Sequence, residues 1–81
     1  MATRTRRKKT YQYGFHFRRG NYFSVSRDLE MRYPKFFCGS GFSLQNSSFD
    51  ISFICTPEQY RNIVRYARRA LPKFTVERTE H

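Results

Sequence analysis

The sequence predicts a small α+β domain, an antiparallel or mixed sheet with two helices on one face, in the order β-α-β-β-α with an optional final strand. Three observations carry this. Tyr11 to Phe17 alternates strictly, and Phe49 to Cys55 alternates again. Thr56-Pro57-Glu58 then opens a segment whose apolar residues recur at helical spacing. Residues 1–10 form a basic arm, 11–78 a single α+β domain and 79–81 a tail.

The first strand places Tyr11, Tyr13, Phe15 and Phe17 on one side and Gln12, Gly14 and His16 on the other, giving it a wholly aromatic face. Arg18, Arg19, Gly20 and Asn21 interrupt it as a turn. Tyr22, Val25, Leu29 and Tyr33 then follow at helical spacing, with Ser24 or Ser26 available as an N-cap. The same stretch also reads as a hairpin's return strand through Phe23 to Ser26, and Pro34 ends it in either case.

Lys35 to Leu44 reads as the next strand, with Phe36, Cys38, Phe42 and Leu44 on one side. Gly39 and Gly41 on the other suggest a bulge or a close backbone approach. Gln45 to Ser48 turns the chain into Phe49–Cys55, completing a hairpin.

Thr56 supplies a capping hydroxyl, Pro57 fits the first helical position, and Glu58 lies where the helix dipole favours an acid. The helix carries an apolar stripe of Tyr60, Ile63, Val64, Ala67 and Leu71, with Arg61, Arg65, Arg68 and Arg69 on the adjoining face. Pro72 stops it, and Lys73 to Arg78 is available as an edge strand. Glu77 and Glu80 fall towards a polar tail.

Nine Phe and six Tyr with no Trp predict a core of rings in a chain too short to bury much else. Cys38 and Cys55 read as small buried residues. No C-x-x-C or H-x-x-x-H spacing joins them to His16, so no zinc or other cofactor is expected.

Sixteen Lys plus Arg against six Asp plus Glu gives a net charge of +10, which a polyanionic partner relieves. No segment approaches the roughly 20 apolar residues of a spanning helix, and no apolar stretch follows the basic start as in a signal peptide. The expected setting is intracellular, cytoplasmic or in an organelle such as the mitochondrion, and not secreted. MATRTRRKKT is basic, hydroxylated and free of acid, which fits an organelle presequence as well as a nucleic-acid arm.

The six acids do not cluster as a metal-dependent nuclease requires, and His16 stands alone on its strand, so the chain is not expected to be an enzyme. Nor is a small-molecule substrate expected. Binding has more material, in three basic groups. Arg4, Arg6, Arg7, Lys8 and Lys9 form the arm, where five phosphate contacts would give a log–log salt slope of roughly −3.5 to −4.5. Arg18 and Arg19 sit in the turn after the first strand. Arg61, Arg65, Arg68 and Arg69 share a helix face with no acid at i,i+4, and arginine favours phosphate forks and base stacking.

Tyr13-Gly14-Phe15-His16-Phe17 superficially resembles the G-F-x-F part of an RNA-recognition motif's stacking signature. That signature belongs on the third strand, however, and Phe49 to Cys55 lacks it. Core packing explains the rings better.

Phe15-His16-Phe17, Phe37-Cys38-Gly39-Ser40-Gly41-Phe42, the Phe49-to-Cys55 strand and the Thr56-to-Leu71 helix ending in Leu71-Pro72 make a second pattern. In order and spacing, over about sixty residues, it resembles the later part of a LAGLIDADG homing-endonuclease repeat. No segment corresponds to the acidic signature helix. The resemblance implies a nucleic-acid-binding surface without cleavage and an organellar setting.

The expected function is therefore non-catalytic nucleic-acid binding, with RNA favoured over DNA, as a structural component of a ribonucleoprotein such as a small ribosomal protein, among other proteins of a larger assembly and without a membrane. A DNA-binding regulatory or architectural protein and a small phage-type inhibitor of an acidic protein surface are the alternatives.

Overall fold

In a computed structural model of the chain, residues 9–80 are described. The elements are β1 (Tyr11–Phe17), α1 (Tyr22–Arg32), β2 (Phe37–Phe42), β3 (Phe49–Cys55), α2 (Pro57–Ala70) and β4 (Phe74–Glu80). They form one sheet in the order β2-β3-β1-β4, antiparallel throughout, which is the split β-α-β plan.

Period-two alternation sorts the strand residues. Tyr13, Phe15 and Phe17 of β1 and Phe49, Ile51, Phe53 and Cys55 of β3 point to one side and are buried. Val25 and Leu29 of α1 and Ile63, Val64 and Ala67 of α2 join them in a single core, so both helices cover that face. Phe17 lies opposite Phe49 in the ladder and stacks on it at 4.9 Å, while Phe15 meets Phe53 edge-on at 5.4 Å. Such pairs contribute about 0.5–1.5 kcal/mol each beyond the area they bury. Burial pushes the Cys55 thiol up to about 11.

The start of α2 is anchored as Thr56 and Pro57 lead one to expect, and Gln59 adds a reciprocal contact. Thr56 Oγ1 accepts from Gln59 N at 3.3 Å while Thr56 N donates to Gln59 Oε1 at 2.9 Å, a complete capping box. Segment 22–32 is helical, not a return strand. Helical spacing puts Val25 and Leu29 in the core together, which leaves Phe23 79% exposed. Its cap is Asn21, whose side chain accepts from Ser24 N at 2.9 Å, and neither Ser24 nor Ser26 serves.

Three further expectations are corrected. β2 has a bulge between Phe37 and Gly39, which leaves Cys38 unpaired and exposed instead of buried. The bulge itself is as the glycines suggest, and beyond it Ser40 and Phe42 lie on the helix side opposite Ile51 and Phe49, with Gly39 and Gly41 on the other side as expected. Leu44 lies beyond the strand and is 87% exposed. At the other edge the optional final strand is seven residues long and pairs with β1 from Phe74↔Phe17 to Glu80↔Tyr11. Glu77 and Glu80 therefore belong to the sheet and not to a tail, because half-buried Phe74 and Val76 draw β4 onto the core's rim.

Candidate nucleic-acid interface

The alternation that buries the rings leaves the other side of the sheet open. Its residues are Gln12, Gly14 and His16 from β1, Asp50, Ser52 and Ile54 from β3, Thr75, Glu77 and Thr79 from β4, and Gly39 and Gly41 from β2. None is Lys, Arg, Phe or Tyr. A shallow trough of about 470 Å3 runs over Gly14 and is flanked by Asp50 and Glu77. His16 Nδ1 lies 2.6 Å from Asp50 Oδ1 in an exposed pair. An RNA-recognition sheet stacks bases on aromatics of its open face. Here the Phe and Tyr rings of the strands are turned to the helix side, and the open side carries Asp50 and Glu77 without a Lys or Arg.

Cations collect on the helix side and at its seam with the edge strand. Arg61, Arg65, Arg68 and Arg69 are all exposed along α2. Of the ion pairs among the described residues, Lys9–Glu80, His16–Asp50 and Arg32–Asp28, none uses an α2 arginine. Between α2 and β4, Arg61 and Arg78 border a recess with Tyr13, Tyr60 and Val76. Further along the seam, Arg68 and Lys73 border another with Leu71, Pro72 and Phe74. At the end of the sheet, Arg18, Arg19 and Lys73 share a cleft with Phe74 and Thr75. The result is a basic belt along the α2–β4 seam and round one end.

The belt joins residues from three separate sequence clusters. Lys73 and Arg78 were missed by sequence reading because they flank or occupy a strand treated as optional, and no local motif marks them. Arg78 lies over the Tyr11 ring at 4.6 Å, and burial raises the Tyr13 hydroxyl above its ordinary value. Lys9, the first described residue, lies over Tyr11 at 5.3 Å and pairs with Glu80 at 3.2 Å. It borders a recess with Arg61 at the start of α2. Arg4, Arg6, Arg7 and Lys8 lie outside the described residues.

Not every cation is available. Arg32 reaches Asp28 at 3.4 Å and lies over the Tyr66 ring at 4.1 Å, while the Tyr66 hydroxyl donates to Asp28. The contact with Tyr66 raises the Arg32 guanidinium, and the bond to Asp28 raises the Tyr66 hydroxyl. This group ties α1 to α2 and is a structural clamp.

Among the described residues no three His, Cys, Asp or Glu side chains converge as a metal site requires, and no helix is long and apolar enough to cross a membrane. The chain matches no known protein family, no curated protein and no solved structure.

Proposed function

We propose that this chain is a non-catalytic nucleic-acid-binding protein that grips phosphates through the α2–β4 belt, and that its natural partner is RNA within a ribonucleoprotein. The observation that carries the reading is the segregation of charge. Lys and Arg line α2, its seam with β4 and the adjoining loops, whereas the open sheet face bears Asp50 and Glu77 and neither Lys nor Arg. A merely soluble domain has no reason to separate its charges in this way; a polyanion held on one side gives one. Arginine predominates in the belt, which suits forked phosphate contacts and stacking on unpaired bases. The LAGLIDADG-like pattern points the same way. Exposed Phe23, Phe42 and Leu44 on the helix-and-edge side away from β4 suit a protein neighbour in a larger assembly.

The test is a competition between structured RNA and duplex DNA of matched length, each titrated over a range of salt. RNA should outcompete duplex, with log K falling linearly in log salt. Equal affinity removes RNA preference, and affinity independent of salt removes phosphate binding altogether.

A further inference from the structure

The belt ends in a cleft whose lining is not that of a simple phosphate patch. Gly20 has φ +121°, a conformation that favours glycine, and a Cβ placed there would stand 2.9 Å from Pro72 Cγ. The loop after β1 is thereby closed against the loop before β4, which brings Arg18 and Arg19 beside Lys73. The cleft between them has about 450 Å3, and its walls also include Pro72, Phe74 and Thr75. No acid lines it, and all three cations are exposed and outside the ion pairs of the described residues.

Its size lies in the range of about 300–1,000 Å3 typical of small-ligand sites, and a double helix cannot enter. Cations alone would suit any phosphate. Here Pro72 and the half-buried Phe74, whose ring packs on Phe15 and Phe17, line the cleft together with His16 and Thr75, giving it apolar wall beside its cations. Unpaired bases bind proteins by stacking on such surfaces while their phosphates meet Arg and Lys.

We propose that this cleft captures one unpaired nucleotide of a single strand, with its base against Pro72 and Phe74 and its phosphates held by Arg18, Arg19 and Lys73. The proposal rests on the nucleic-acid reading above and adds to it a site that distinguishes single strands from duplexes. The α2 arginines supply affinity without regard to strandedness, and the cleft supplies the preference.

The experiment uses the full chain and three fluorescent probes of equal length: an oligouridylate, an abasic phosphodiester strand and a blunt RNA duplex. The wild type should prefer the oligouridylate to the abasic strand by roughly tenfold, the size of one stacked base. The triple variant Arg18→Gln, Arg19→Gln, Lys73→Gln changes only exposed side chains, and its fold is checked by circular dichroism. It should lose that preference, binding the oligouridylate and the abasic strand equally, while affinity for all three probes falls with the three charges removed from the belt. Equal wild-type binding of oligouridylate and abasic strand overturns the proposal alone, as does a preference that survives in the triple variant. Failure to bind any probe overturns the nucleic-acid reading and this proposal with it.

Discussion

The two sides of this sheet are made by the same strands, yet one is a closed layer of aromatic rings under basic helices and the other is an open polar surface with two acids. The difference between Phe15 and His16, or between Phe53 and Ser52, is a single step along the chain. Alternation alone decides what is buried, but it does not decide where charge goes. Lys and Arg lie on both helices, in loops and along the rim of β4, so the proposed binding surface sits at the fold's periphery and not on its broad face. A four-stranded sheet is therefore no guide, by itself, to how such a chain meets nucleic acid.

The largest expected effect is on the basic side. Changing Arg61, Arg65, Arg68 and Arg69 together to Gln should lower RNA affinity about a thousandfold near 0.1 M salt and flatten the log–log slope by roughly 3, measured by fluorescence anisotropy. An unchanged slope would show that α2 is only a solvated face.

The core beneath the open face gives the next effect. The folded Cys55 thiol is raised by burial from 9.0 to about 11. Its contribution is fully present below pH 9 and is lost as pH rises through 11, because the unfolded chain gives up the proton first. Unfolding free energy should fall by about 2 kcal/mol over that window, at roughly 1.4 kcal/mol per unit. Cys55→Ala should flatten the profile, and Tyr13 and Tyr66, both raised, leave a residual slope of the same sign. Denaturant midpoints at pH 8 and pH 11 check this.

Thr56→Ala removes one half of the capping box and should cost about 1 kcal/mol in a denaturant melt, with RNA affinity kept wherever the chain remains folded. A loss of affinity in folded protein would mean that the start of α2 touches the ligand directly.

The smallest effect belongs to the open side. Asp50→Asn with Glu77→Gln should raise affinity by no more than about threefold, since both acids are exposed on the open face, where salt screens them, and Asp50 meets the belt's end only through His16. A larger change, of either sign, would place the nucleic acid on the open face and invert the comparison.

Much of this architecture is legible in the sequence, because Tyr11–Phe17 and Phe49–Cys55 state their inward faces residue by residue, and Thr56-Pro57 marks a helix start. Cys38 was not legible. A bulge moves a residue out of the pairing without changing composition, so alternation read through it misplaces Cys38, while Phe42, Gly39 and Gly41 keep the sides read for them. Asn21 was missed as a cap because Ser24 and Ser26 offer the same chemistry a turn later. The site was legible only in pieces. Arg61, Arg65, Arg68 and Arg69 announce themselves by spacing, whereas Lys73, Arg78 and Arg18 become neighbours only through the β1–β4 pairing and the Gly20–Pro72 contact.

The bulged strand β2 has a colloidal consequence. From Cys38 to Phe49 the chain has neither a charge nor a proline, the usual means by which a sheet edge refuses a neighbour, while Phe42 and Leu44 stand exposed. The bulge interrupts one end of this edge, and the net charge of +10 adds a repulsion acting at a distance, a barrier that a polyanion cancels. Mixtures with a polyanion should turn cloudy near charge neutrality and clear again with excess of either component, a behaviour in which the partner proposed for the belt would also govern how crowded the protein can become.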